Sequence, residues 1–445
     1  MNRLIAPFIF IIALAFVFPI HAYSQYKSIY SGITLFDTNG NIINAHGGCI
    51  VKENNTFYLF GECHTDTSNA FIGFNCYSST DLYNWKFERR VLKIQKNGFL
   101  GPNRIGERVK VMKCPTTGKF VMYMHTDDLR YKDPNIGYAT ATQINGDYTF
   151  NGALLFNDKP IKKWDMGTFQ DTDGTGYLIT HGGNIYKLTD DYTGVADQIL
   201  KDMTKESESP AIFKKDSTYF WLASNRTSWE RNDNFYFTAT SLKGPWTSKG
   251  HFAPEGTLTW NAQTTFVLPI IGSKATTYLF MGDRWSYPKQ ATAATYVWQP
   301  LTVSGTTLSI PQFIESWQID VKNGQWMSSK ISGKPINKQH FNDTLQQYII
   351  KGNQVFLYGK SDTNCGYAQI SLMDKHNKIL FTTTVDFYSK YANDGLKFIS
   401  PLLNKATYTL KINTLGEHGN WSDKTRTIYG STGNKVPITK IMVAD

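Results

Sequence analysis

His46–Glu62, HGGCIVKENNTFYLFGE, joins a short apolar strand to a second strand carrying Phe57, Tyr58 and Phe60 through the polar pair Asn54-Asn55. Asparagine tolerates the positive φ that tight hairpin turns need, so the stretch reads as a β-hairpin. The same plan recurs four times, as ERVKVMKCPTTGKFVMYMH from Glu107, DMGTFQDTDGTGYLITHGG from Asp165, ESPAIFKKDSTYFWLASN from Glu208 and QTTFVLPIIGSKATTYLFMGD from Gln263. Turn residues fall between the two strands each time: Thr117-Gly118, Asp173-Gly174, Lys215-Asp216 and Gly272-Ser273. Each hairpin is followed by further strand-like segments, such as IGFNCYSSTDLYNWKF after the first and TYVWQPLTVSGTTLSI after the fifth. Four-stranded antiparallel units recurring at roughly 45 to 60 residues predict an all-β, five-bladed β-propeller.

From about residue 320 the character changes. QVFLYGK, YAQISLMD, KILFTTTVDF, ATYTLKI and VPITKIMVAD are alternating strands without the repeat, and they predict a C-terminal β-sandwich over residues 321–445 after a propeller over residues 25–320. IESWQIDVKNGQWMSSKISGKPINK is expected to pack on the propeller and then link the two. The first 24 residues, with Arg3 ahead of an apolar run through Phe18 and a short exit at Ala22, read as a secretory signal peptide. The run is short for a bilayer span, and no cysteine near the exit suggests a lipid anchor. A periplasmic or secreted protein without stable membrane insertion is therefore expected.

Composition narrows the partners. The chain has 445 residues, 14% aromatics and a formal charge of +10, with Lys and Arg scattered rather than clustered. That pattern argues for plain solubility and against nucleic acid, and an acidic or uronate-decorated polysaccharide is the more sensible anionic partner. The five cysteines (Cys49, Cys63, Cys76, Cys114, Cys365) show neither paired metal-ligand spacing nor a disulfide framework, although one bridge among the first four stays open. No metal or cofactor is expected, and the protein is expected to act as a monomer.

The repeat also organises chemistry. In a propeller the first strand of each blade lines the central channel, so His46, Glu107, Asp165, Glu208 and Gln263, which open those strands, converge on one funnel. Three carboxylates facing one another raise each other's pKa, a cost that is tolerated where a substrate or a cation uses them. Trp164, Trp229, Trp260 and Trp285 stand in neighbouring loops; stacking on a sugar face is expected for Trp229 and Trp285, with core packing the alternative for each.

INAHGG, FYLFGE, ERVKV, WDMGTFQDTDGTGYL, ESPAIFK, NAQTTFVLP and FMGDRW, in this order over roughly residues 30 to 320, resemble glycoside hydrolase family 43 in its exo-β-1,3-galactanase group. The resemblance implies that Glu208 is the general acid and that Asp165 tunes and orients it. It further implies sugar-binding roles for Glu62, Glu107, Tyr131 and Thr227, and Arg284 and Trp285 of FMGDRW join Trp229 as candidate contacts. Ordinary members open the first blade with an aspartate base, which NAHGG lacks. In the galactanase group the fifth-blade glutamine is thought to serve as base through its imidic acid tautomer, and Gln263 matches it. Two accounts stay open: Gln263 activates or orients water, or it binds hydroxyls while Glu107 or Glu62 is the base. Either implies inversion, with acid and base about 6.5–9.5 Å apart to admit a water. The other readings are an α-L-arabinofuranosidase or β-xylosidase of the same family, or a sugar-binding propeller without catalysis.

Overall fold

The computed structural model describes residues 26–205, 207–336, 344–422 and 426–445. The expected signal peptide falls outside these residues. Among the described residues no helix is long and apolar enough to cross a membrane.

Each of the five repeats forms an antiparallel hairpin that grows outward, strand by strand, into a four-stranded sheet. The inner strands are His46–Glu53, Arg104–Lys113, Met166–Gln170, Ser207–Lys215 and Gln263–Ile271. Each touches the next in chain order, and the fifth touches the first, so the five sheets close a ring around their inner strands. Alternation of apolar residues makes this possible, because one sheet's face buries Ile50, Leu59 and Tyr77 against Leu268 and Leu279 of the next. The turn residues do what the sequence requires of them: Asn54, Gly118, Gly174 and Asp216 all have positive φ. In the fifth sheet the turn is longer than Gly272-Ser273, since the partner strand resumes only at Thr276.

Ile29–Tyr30 pairs with Ser316–Asp320, which pairs in turn with Gln325–Ser328. Trp317 is fully buried among the first and fifth sheets. That hairpin straddles residue 320 and is tied to the fifth sheet's turn by the bond from Ser273 N to Lys322 O (3.0 Å). Beyond it, two four-stranded antiparallel sheets share one core, with Tyr348, Ile370 and Leu410 from one sheet facing Val355, Leu357 and Phe398 from the other. All five cysteines are free thiols, so the bridge left open among the first four does not form.

Candidate active site

A bulge sits beside the opening residue of four inner strands. Pairing with the second strand slips between His46 and Cys49, Glu107 and Lys110, Glu208 and Ala211, and Thr264 and Phe266. Gly47, Arg108 and Ser209, the residues after three of these openings, have φ of 59°, 58° and 55°. An extra residue in a strand re-aims the side chains around it, so the parity of a regular strand no longer applies. Glycine is required at 47, because a Cβ there would lie 1.7 Å from Glu62 Oε1.

The freed amides clasp carboxylates of neighbouring sheets. Gly47 N donates to Asp283 Oδ2 (3.0 Å), Arg108 N to Glu62 Oε1 (2.6 Å) and Ser209 N to Asp165 Oδ2 (2.9 Å). Each bond runs from one sheet to the sheet before it in the ring, so the carboxylates at the centre also stitch the sheets together.

A cavity of about 540 Å³ opens above this floor, with Glu62, Glu107, Tyr131, Asp165, Glu208 and Gln263 in its walls, together with Trp229 and Trp285. Asp165 accepts from Arg108 Nε (3.1 Å) and from Ser209 Oγ (2.8 Å). Burial works to raise its pKa, but the Arg108 charge and the Ser209 hydrogen bond overcome it and hold the carboxyl below its usual range. Glu208 goes the other way: burial, and then the charge of Asp165, push it well above the usual carboxylate range, against the opposing pull of Arg108, Arg226 and the Gln263 amide. Two carboxyls driven apart in this way can supply a proton donor and a permanent anion at the same pH.

Gln263 connects them. Its Oε1 accepts from Arg108 Nη2 and from Trp285 Nε1 (2.8 Å), while Nε2 donates to Glu208 Oε1 (2.8 Å) and Ser224 Oγ (3.2 Å). Arginine and the indole N–H have no acceptor, so the amide oxygen must face them and the NH₂ must face Glu208. Gln263 and Glu208 are thus in direct contact, so this pair does not show the 6.5–9.5 Å that an inverting acid and base need, a spacing left to be met by whichever group is the base. Proton affinity on Oε1 is also opposed, because two donors already occupy it. A carboxylate at 263 could accept from Arg108 and Trp285 but could not donate to Glu208, and only an amide does both.

Glu107 takes a bond from Tyr131 Oη (2.7 Å) and stands 3.3 Å from His125 Nδ1, whose Nε2 lies 3.1 Å from Asp127. Burial disfavours a charged imidazole there, but Asp127 and Glu107 push His125 up to about 9. Glu62 is buried, with Oε2 2.8 Å from His64 Nε2. Trp229 and Trp285 meet edge to face at 5.3 Å between ring centres.

Several expected residues lie elsewhere. His46 is buried beneath the cavity, bonded to Asp283 (3.1 Å) and stacked on Tyr296. Thr227 holds its own loop, donating to Glu230 O (2.9 Å) and accepting from Asn232 Nδ2 (2.7 Å), and it is absent from the cavity walls. Arg284 turns away from the cavity to Gly32 O (2.8 Å) and Trp260 O (2.7 Å). The reason is alternation: Asp283 points inward to His46 and Gly47, so its strand neighbour points outward. Trp260 is packed in the core beside Phe313. Arg108, His125 and Asp127, by contrast, line the cavity without having been singled out from sequence.

Residues 45–253 match the model of glycosyl hydrolases family 43. Among solved structures, a candidate exo-β-1,3-galactanase from Bifidobacterium bifidum is 36% identical, with 63% of this chain and 95% of that one covered at a TM-score of 0.60. An exo-β-1,3-galactanase from Phanerochaete chrysosporium, solved with β-1,3-galactotriose, is 25% identical over 94% of this chain and 100% of that one, with a TM-score of 0.68. A family 43 β-1,3-galactosidase solved with galactodeoxynojirimycin is 28% identical over 64% of this chain and 99% of that one, with a TM-score of 0.58. No curated protein sequence matches. With the Glu208–Asp165 pair at the floor of its cavity and a 36% identical relative covered almost end to end, this chain belongs to glycosyl hydrolase family 43 and is a glycoside hydrolase.

Proposed function

We propose that the protein is an exported exo-β-1,3-galactanase, releasing terminal galactose from the β-1,3-galactan backbone of arabinogalactan-type polysaccharides with inversion. In this reading the five sheets are the blades of a propeller and the two C-terminal sheets a β-sandwich, behind a cleaved segment of about 24 residues. The single observation that carries the reading is the opposed pair at the cavity floor: Glu208, pushed up by burial and by Asp165, beside Asp165, held down by Arg108 and Ser209.

Glu208 delivers its proton to the departing glycosidic oxygen, and Asp165 stays ionised to keep the acid protonated and aimed. Tyr131 presents Glu107 to the terminal sugar, Glu62 helps hold it, and Trp229 and Trp285 offer faces for its apolar side. Gln263 keeps Glu208 in place while the site is empty, because all four of its hydrogen-bonding valences are engaged. An arriving sugar that displaces the Glu208–Gln263 contact frees the amide to orient the attacking water. A second reading puts the base at Glu107, favoured by its place in the cavity wall between Tyr131 and His125. The galactose-type ligands of the relatives support galactose at the cavity floor.

Product analysis on β-1,3-galactan tests this. Galactose as the first product, appearing as the α anomer in proton NMR, is expected; internal oligosaccharides or the β anomer would overturn the exo or the inverting assignment respectively.

A further inference from the structure

Three groups at the cavity floor and wall, Trp229, Gln263 and Trp285, each have a near neighbour in the chain tied to the C-terminal sheets. Asn261, two residues before Gln263, donates to Ser389 Oγ (2.7 Å). Glu230, next to Trp229, accepts from Tyr388 Oη (2.9 Å). Ser286, next to Trp285, donates to Asp386 Oδ2 (2.9 Å). The carbonyl of Trp285 itself accepts from Arg231 Nη2 (2.7 Å).

Arg231 is the centre of this junction. It is 6% exposed, with Asp386 Oδ2 3.7 Å from Nη2 and the faces of Tyr388 and Trp421 at 5.0 and 5.5 Å. Among the described residues its Nε and Nη1 have no hydrogen-bond partner, although Nη1 lies 4.0 Å from the buried Glu230 Oε1. A guanidinium buried with so few bonds is costly, and an apolar contact would hold two sheets together as well or better. What the charge adds is direction: one strong bond, aimed at the main chain of the tryptophan whose indole N–H fixes Gln263.

We propose that Arg231 and Asp386 are positioning residues for the hydrolytic site, so that the C-terminal sheets brace the catalytic pocket instead of standing beside it as a separable module. Asp386 anchors Arg231 and Ser286; these two set Trp285; Trp285 sets the Gln263 amide and through it Glu208. The inference rests on the site being the one described above, and it deepens that reading by adding residues from a second unit. The neighbouring Ser422, from the same C-terminal unit, lies in the cavity wall.

The test uses the full chain with Asp386→Asn, which removes the charge but keeps an acceptor, and Ser286→Ala, which removes one hydroxyl and leaves every charge in place. On β-1,3-galactobiose, Asp386→Asn is expected to lower kcat about tenfold or more, since small misplacements of catalytic groups have costs of that order. KM should change less, and the basic limb of the pH profile, which Glu208 sets, should move. Ser286→Ala should show the same pattern more weakly, and Arg231→Lys should retain more activity than Arg231→Met. Folded Asp386→Asn and Ser286→Ala proteins with kcat and pH profile within about twofold of wild type would overturn the proposal. Should Asp386→Asn fail to fold, Ser286→Ala decides alone. Wild-type activity on an aryl arabinofuranoside or xyloside but not on galactobiose would sink the substrate reading only, and the variants are then compared on that glycoside.

Discussion

Replacing Gln263 separates its two possible roles. Gln263→Ala strips the partner from Arg108 Nη2, from Trp285 Nε1 and from Glu208 Oε1 at one stroke. Each donor left buried without an acceptor costs roughly 1–3 kcal/mol, so the two together cost roughly 2–6 kcal/mol of stability where water does not replace the amide. The effect on rate is separate. If the amide aims Glu208 and then holds the attacking water, its loss removes contacts made in the transition state, and kcat should fall at least about 10²-fold with KM little changed. That is about 2.7 kcal/mol of barrier. Gln263→Glu gives the complementary measurement. A carboxylate can still accept from Arg108 and Trp285, but it cannot donate to Glu208, and its charge raises the pKa of that acid further. The basic limb of the pH profile should therefore move to higher pH. The assay is steady-state release of galactose from β-1,3-galactobiose over a range of pH, paired with thermal melts to keep folding and chemistry apart. A folded Gln263→Ala that keeps more than about a tenth of wild-type kcat would refute the orienting role, because an acid–base contribution is worth at least 10²-fold. A raised KM with kcat intact would reduce Gln263 to a binding contact, and Glu107 would then be the base to test.

Glu208→Gln should abolish hydrolysis of natural galactosides, by about 10²-fold or more, while a galactoside with a very acidic leaving group is hydrolysed in part; equal loss on both would make Glu208 positional. The same variant should be more stable than wild type at neutral pH. A carboxyl whose pKa is raised on folding costs stability once pH exceeds its unfolded value, so the gain should be about 2 °C or more in Tm at pH 7 and should vanish near pH 4. Asp165→Asn removes the negative charge that lifts Glu208, so the basic limb of kcat/KM should shift to lower pH; an unmoved limb would show that burial alone sets the acid. Arg108→Met leaves Asp165 buried without its cation, and by the usual cost of breaking a buried pair it should lose about 3–5 kcal/mol of stability as well as activity, measured by denaturant melts.

The repeat was legible because its signals are local. Turn residues such as Asn54 and Gly174 and the alternating apolar strands announce each hairpin, and five hairpins in a row announce how the inner strands must face one another. Glu107, Asp165, Glu208 and Gln263 follow from that alone. Arg108 does not. In a regular strand it would point away from Glu107, and only the bulge, with its positive φ at 108, swings both toward the cavity. The pairing of Arg108 with a basic-looking ERVKV run offered no hint, since Lys110 beside it bonds Gly47 O (2.8 Å) beneath the floor. Arg284 failed for the opposite reason: its strand is regular there, and alternation sends it outward. The contact between Gln263 and Glu208 and the brace from Asp386 both join residues more than fifty positions apart, through side-chain reach that no local pattern encodes.

The amide-to-carboxylate clasps around the ring have a consequence for how such a protein would decay if selection for hydrolysis were lifted. Asp165 and Glu62, like Asp283 below them, each tie one sheet to the next, whereas among the described residues no backbone amide clasps Glu208 in this way. On the proposed assignment of Glu208 as proton donor, drift would therefore discard it early and cheaply, even with a gain in stability, while the carboxylates around it stayed under selection as fasteners. A descendant that only captures sugar would still display most of the acidic constellation, and the residue at position 208 alone would tell it from a working enzyme.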